Sequence, residues 1–296
     1  MSFAGSAAVE AAALGGDQHD AEPGLHLVDL GAKAGPASER SFLSAARGAL
    51  RVLVPVGLLA AWQTVSGLGL VEPAVLPSPL TVAEAFGELI GTGELQAAIP
   101  ASLHRALTGL ILGAGTGLVL GLFAGLWRIG EQLFDAPLQM LRTIPFIATI
   151  PLFIIWFGIG EAAKVALIYA AAIFPVYLNT YAGVRGVDPK LIEAAKVFGL
   201  KPRQISLRVI LPTALPSILV GIRFSAGIAL LALVAAEQIN ARSGIGYILN
   251  NANQNQRTDV IIAGIIVYAL LGIVIDLVMR WVERLALPWR ASLVFA

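Results

Sequence analysis

Three charged residues, Arg223, Glu237 and Asp276, stand within or at the edge of stretches that are otherwise almost wholly apolar. An ion at membrane depth is tolerated when it faces a cavity, a counter-charge or a substrate. Arg223 therefore has two readings. It is a cation facing an anion in transit, or a structural group bonded to carbonyls freed by nearby prolines or to an acid of another span. Glu237 reads either as a gate residue or, the favoured reading, as the partner of Arg242. Asp276 precedes Arg280 by one turn, the spacing of an i,i+4 salt bridge, and it can equally bridge to another helix. A further concentration of charge lies in LIEAAKVFGLKPRQISLRVILP, where Glu193, Lys196, Lys201, Arg203 and Arg208 interrupt two long apolar stretches.

The chemistry these residues leave out is equally informative. With no cysteine in the chain, disulfides, thiolate catalysis and cysteine metal sites are excluded. His19 and His26 fall near the N-terminus and His104 stands alone, so no metal ligands and no metal-dependent catalysis are expected. No GxxxxGK[ST] phosphate loop occurs, which leaves no means of cradling ATP. The apolar stretches also hold no grouping of acid, base and nucleophile, so an intramembrane enzyme is disfavoured.

These residues must be positioned by a membrane protein. Of 296 residues 57% are hydrophobic and 13% charged, with a mean hydropathy of +0.80, more apolar than a soluble surface tolerates. The net charge of +1 gives no pull toward nucleic acid. Spans of about 20 apolar residues are expected at roughly 49–67, 103–126, 138–158, 164–184, 213–239 and 260–282. Residues 1–45 lack helical periodicity and carry Asp17, Asp20, Glu22 and Asp29 before the first basic residue, Lys33; they read as a disordered tail without a signal peptide. Residues 46–290 form the transmembrane domain, with a loop at 185–212, and 291–296 a C-terminal tail.

Orientation follows from basic residues. Lys33, Arg40, Arg47, Arg51, Arg128, Arg142, Arg185, Lys190, Lys196, Lys201, Arg203, Arg208, Arg280, Arg284 and Arg290 fall on one side, against Arg105, Lys164, Arg242 and Arg257 on the other. The positive-inside rule then places both termini and the charged loop in the cytoplasm.

Within the spans, Gly109, Gly113, Gly117, Gly121 and Gly125 recur every four residues and form one ridge for close helix contact, within this subunit or between subunits. Pro145, Pro151, Pro175, Pro212 and Pro216 remove backbone donors that lipid cannot replace, so kinks are expected. The segment from Ser243 to Asn255 is too short to span and reads as a re-entrant or surface element. Its Asn250, Asn251, Asn253 and Asn255 suit a docking protein or solvent equally.

The charged loop has its own punctuation. Asp188 before Pro189 is a helix start and Gly199 a left-handed stop, giving about 10 residues with Leu191, Ala195 and Phe198 on one face and Lys190, Glu193 and Lys196 on the other. A second short helix begins at Pro202, with Ile205 and Val209 as its apolar face. Surface connection, membrane anchor and docking element all fit such a pair.

The run Glu193, Ala194, Ala195, Gly199, Val209, Ile210, Leu211 and Pro212 resembles the EAA signature of permease subunits in bacterial ABC importers, with Val209 where that family usually has Ile. The stretches LPSPLTVAEAF, RTIPFIATIPLFIIWFGIGEAAK, GIRFSAGIALLALVAAEQINARSGIGYILNNA and VERLALPWR are similar to the branch importing aliphatic sulfonates, taurine and nitrate. The resemblance covers roughly residues 50–290 and implies an all-α, polytopic, six-helix protein with the MetI-like fold of type I importer permeases. It further implies a second permease copy forming a homodimer, two cytoplasmic ATP-binding subunits that hold ATP and Mg, and an extracytoplasmic solute-binding protein, with no cofactor in this chain. In that family Glu193, Ala194, Ala195, Gly199, Leu211 and Pro212 would lie in the coupling loop gripped by the ATPase. An ion-coupled secondary transporter using Arg223, Glu237 and Asp276 is the alternative of a different class, although no internal repeat supports it.

Overall fold

The computed structural model describes residues 53–239 and 241–289. The expected N-terminal tail and C-terminal tail fall outside them. One compact unit begins at Gly57, and its described elements are helical.

Helix α1, Leu53–Gly67, leads through a turn to α2, Pro79–Gly91. Ser78 caps α2 by accepting the Thr81 N–H, and Pro79 occupies the first turn, where its missing donor has no consequence. The Trp62 indole donates to the Pro77 carbonyl at 3.0 Å, which fixes the end of α1 to this turn.

Helices α3, Glu94–Leu126, α6, Glu161–Arg185, and α11, Thr258–Ala286, are each long and apolar enough to cross a bilayer. So is the continuous helix Pro202–Glu237, whose main part is α9, Leu211–Glu237.

The span expected at 138–158, with a kink from its prolines, is a sharply bent pair. Helix α4, Arg128–Leu141, meets Phe146–Phe157, which ends in α5, Ile150–Phe157, at 90°. Pro145 explains the break, since it has no N–H to continue the ladder, while Pro151 falls in the first turn of α5. The span also begins earlier than expected. The α4 residues Glu131 and Asp135 bond Tyr181 and Tyr177 of α6 at 2.7 and 3.2 Å, so α4 climbs along α6 from the Arg185 end. Arg142, one of the basic residues expected in the cytoplasm, stands at the break of this pair.

Between α6 and α9 run α7, Pro189–Val197, and α8, Pro202–Ile205, followed by a π turn, Ser206–Ile210, that merges into α9. Asp188 caps α7 by accepting the Lys190 N–H at 2.9 Å. Gly199 has φ +74°. There Gly199 donates to Lys196 O and Leu200 to Ala195 O, at 2.9 and 3.1 Å, a Schellman end. The second helix expected at Pro202 thus continues unbroken into the span rather than standing apart.

Three helices form the scaffold. The α3 ridge is buried against α6, and the two run in the same direction: Gly109 faces Ile168, Gly117 faces Ile173 and Val176, and Gly125 faces Val184. A Cβ on Gly113 would come within 2.6 Å of the Tyr169 carbonyl, and one on Gly117 within 2.5 Å of the Ile173 carbonyl. The ridge serves packing within the subunit. Helix α9 runs antiparallel on the other side of α6, where Ser217 and Ser225 donate to the carbonyls of Asn179 and Ala172 at 2.7 and 2.8 Å. The carbonyl of Pro175 accepts from the Asn179 amide at 2.8 Å.

Replacing Gly117 by Leu should destabilise the detergent-solubilised protein by about 1–3 kcal/mol, as overpacking a tight contact does. Gly115→Ala, where nothing lies within 4 Å, should leave thermal unfolding unchanged. Equal melting of Gly117→Leu and the unsubstituted protein would contradict the assigned contact.

Candidate functional site

Two regions carry the chemistry, at opposite ends of the helix Pro202–Glu237. At about 1.5 Å per residue they are separated by roughly 50 Å.

At the C-terminal end lies a buried ionic cluster. Glu237 is fully buried. Its carboxylate receives the Arg105 Nη1 donor at 2.5 Å, the Gly246 N–H at 2.9 Å and the Tyr268 hydroxyl at 2.9 Å, while the Ser102 hydroxyl lies 2.7 and 2.8 Å from its two oxygens. Arg105 spends all five of its N–H donors. Nε meets Glu161; Nη2 donates to Glu161 Oε1 and to Ser243 Oγ, both at 2.9 Å; Nη1 donates to Glu237 and, at 2.7 Å, to the Ser243 carbonyl. Lys164 adds a second cation, 2.9 Å from Glu161 Oε1. Such a cluster is stable in a low dielectric because each charge is both paired and hydrogen-bonded.

The cluster holds a short helix. Helix α10, Ile245–Gln254, places its first N–H groups on it: Ile245 N donates to Ser102 Oγ at 2.9 Å and Gly246 N to Glu237. A helix N-terminus favours negative charge, so the carboxylate suits this position. The glycines are needed for the approach. Gly244 has φ +111° and a Cβ there would lie 2.5 Å from Glu237 Oε1; at Gly246 it would lie 2.4 Å from the Glu237 Cβ. The inner face of α10, Ile245, Ile248 and Ala252, packs with Val82, Ala85 and Leu89 of α2 and with Val260 and Ala263 of α11. The expected re-entrant or surface element is therefore a docked helix. Asn251, Asn253 and Asn255 are exposed. Asn250 and Asn253 line a cleft of about 390 Å³ with Gln238, Val234, Leu249, Ile261, Ile265 and Tyr268.

Nearby, Arg257 bonds Glu88 and Asp259 at 2.7 and 2.9 Å, tying α2 to the start of α11. The guanidinium holds the Glu88 carboxyl below its ordinary range. A lowered carboxylate contributes stability that is present above its unfolded pKa and is lost as pH falls through the folded one.

Glu237 thus pairs with Arg105, not with Arg242 as expected. Sequence reasoning counted Arg105 and Lys164 only as outer cations and passed over Ser102, Glu161 and Tyr268. The usable signal was the glycine ridge: Arg105 precedes Gly109 by four residues and continues its buried stripe. Arg223 meets Asp276, 2.8 Å from Nε and 2.6 Å from Nη2, with Glu283 at 3.9 Å. Asp276 also receives Arg280 Nε at 2.7 Å, so both readings of that acid hold together.

At the other end, Glu193, Ala194, Val197, Phe198 and Gly199 are exposed. Ala195 alone of the expected apolar face turns inward; Phe198 is 82% and Val197 86% exposed. Leu211 and Pro212 are half-buried where the loop joins α9.

Residues 117–287 match the family described as binding-protein-dependent transport system inner membrane component. The chain is 48% identical, over 81% of its length and 87% of the relative's, to the putative aliphatic sulfonates transport permease protein SsuC of Bacillus subtilis (strain 168). It is 37% identical, over 79% of its length and 87% of the relative's, to the taurine transport system permease protein TauC of Escherichia coli (strain K12). Its fold matches a chain of the MetNI methionine ABC transporter in an inward-facing conformation, with a TM-score of 0.55 at 21% identity over 64% of this chain and 94% of that one.

Replacing Glu237 by Leu leaves Arg105 buried with Glu161 as its remaining carboxylate, and should destabilise the protein by about 3–5 kcal/mol. Amide exchange at Ile245 and Gly246 should accelerate before global unfolding. Unchanged protection at those two amides would show that the cluster does not hold α10.

Proposed function

Because the chain belongs to the binding-protein-dependent transport system inner membrane components, in their sulfonate, taurine and nitrate branch, we propose that it forms the pathway through which an ATP-driven importer moves an aliphatic sulfonate. It is a non-catalytic, multi-pass subunit of the inner membrane that works with an ABC ATPase and a solute-binding protein. Our reading adds that two copies of this chain share one path, that two ATP-binding subunits hydrolyse ATP beneath them, and that both termini face the cytoplasm.

One observation carries the coupling reading. The capped helix α7 presents Glu193, Ala194, Val197 and Phe198 outward, and the following helix runs without interruption to the cluster at Glu237. A push on the loop is therefore delivered along a rigid rod to the element that holds α10. Fixed basic residues around α7 and α8 supply the cytoplasmic bias. Sulfonate is favoured over taurine or nitrate by the closer likeness to the relative named for aliphatic sulfonates, 48% against 37%.

Liposomes holding this chain, its ATPase and a binding protein loaded in turn with an alkanesulfonate, taurine or nitrate distinguish these substrates. Hydrolysis should rise most with the alkanesulfonate. Gly199→Trp, which forces a bulky side chain onto a left-handed residue, and Glu193→Lys should each abolish the stimulation while membrane insertion stays normal. Stimulation by every loaded protein alike, or by none, would refute the sulfonate assignment, and full stimulation in both variants would refute the coupling role.

A further inference from the structure

Among the described residues, four cations inside the helices are met by carboxylates, and one at an informative place is not. Arg105, Lys164, Arg223 and Arg280 each contact a carboxylate. The Arg142 guanidinium has no hydrogen bond, ion pair or ring contact among the described residues. It stands at the 90° break between α4 and Phe146–Phe157.

Its depth follows from contacts on either side. Seven residues earlier, Asp135 accepts from Tyr177. Four residues later, Phe146 packs on the cluster of Ile168, Ala171, Ala229 and Leu233. Arg142 therefore lies between the levels of Tyr177 and Ile168, in the middle part of α6, Glu161–Arg185. Every residue from Leu141 to Pro145 is exposed.

The backbone donors of the break are used locally. Arg142, Thr143 and Ile144 donate to the carbonyls of Leu138, Met140 and Leu141 at 3.0, 3.1 and 3.1 Å, and the Thr143 hydroxyl donates to Met140 O at 2.7 Å. What the break offers outward is the guanidinium, with five donors in a planar fork suited to oxyanions. Lipid is an unfavourable neighbour for an arginine at this depth, so the surface bearing it must border water or an anion. Broken helices at mid-membrane are also where transport proteins place substrates. A solvated guanidinium without a fixed carboxylate holds an anion weakly, which suits a group that must pass its ligand on.

We infer that Arg142, at the break of the bent span, is the cationic contact of the pathway for the translocated oxyanion, whose sulfonate oxygens accept from its guanidinium. Arg223 is less suited to this role, because Asp276 already engages its Nε and Nη2 and neutralises its charge. The inference rests on the importer reading above. It deepens that reading by naming a substrate contact in this chain.

The test uses the assembled transporter in proteoliposomes and radiolabelled ethanesulfonate. ATP-dependent uptake by the unsubstituted complex checks the importer reading by itself. Given that uptake, Arg142→Gln should lower it at least tenfold with complex assembly and basal hydrolysis unchanged, and Arg142→Lys should keep a larger share because a cation remains. The chain has no native cysteine, so Arg142→Cys introduces a single thiol. It should react with an anionic, membrane-impermeant methanethiosulfonate, read as a mass shift of this chain, and ethanesulfonate should slow that reaction. Uptake by Arg142→Gln at the unsubstituted rate would overturn the inference. So would a Cys that reacts only with a lipid-soluble maleimide, or whose labelling by the anionic reagent ethanesulfonate does not change. If Arg142→Gln fails to assemble, the Lys and Cys variants decide the question by the same criteria.

Discussion

A guanidinium that is 4% exposed, Arg105, must find an acceptor for each of its five donors inside the protein, because the bilayer supplies none. Meeting that requirement draws together Glu237 at the end of α9, Glu161 at the start of α6 and Ser243 in the connection to α10. Glu237 in turn needs Ser102, Gly246 and Tyr268. One side chain's valence thus fixes where five helices meet. Removing Arg105 leaves Glu237 as an uncompensated buried charge, and removing Glu237 leaves Arg105 with Glu161 alone, which is why such clusters behave as units rather than as separable contacts.

Below this cluster the construction changes from charge to shape. Helices α3 and α6 touch through glycines whose neighbours are backbone carbonyls and small side chains, while α9 lies on α6 through Gly183, Gly221 and two serine hydroxyls. Apolar side chains gain little by leaving lipid for a similar protein interior, so close van der Waals contact and hydrogen bonds hold the helices together. The result is a tightly packed trio. Helix α11 meets it through Tyr268 and the Arg223–Asp276 pair, and elsewhere exposes large apolar side chains such as Ile273, Leu277 and Trp281.

Much of this was legible before the structure. The four-residue glycine spacing identified the ridge, and Asp188, Pro189 and Gly199 marked both ends of α7, because these signals depend on local backbone geometry alone. The kink at Pro145 was expected, but the start of the bent span at Arg128 was not. RIGEQLFDAPLQML carries polar residues that hydropathy assigns to a loop, yet Glu131 and Asp135 are absorbed by tyrosines of α6. The pairing of Glu237 was missed for a similar reason: proximity along the chain favours Arg242, whereas the three-dimensional partner lies 132 residues away on α3. Pairs of that separation leave no periodic trace. Phe198 was expected on the apolar face beside Ala195, but the helix ends at Val197, so helical periodicity no longer governs where the next side chain points.

The π turn at Ser206–Ile210 has a geometric consequence for the loop it joins to α9. Such a turn is an α-helix carrying one surplus residue, and Pro212, lacking an N–H, removes the donor that would tighten it. With 3.6 residues per turn, one residue corresponds to about 100° of azimuth. The direction in which Val197 and Phe198 point, relative to Arg223 and Glu237 further along the rod, is therefore indexed by that single residue. Loss of one position within 206–210 would swing the exposed Val197 and Phe198 around the helix axis by roughly a quarter revolution while leaving every contact inside the membrane in register.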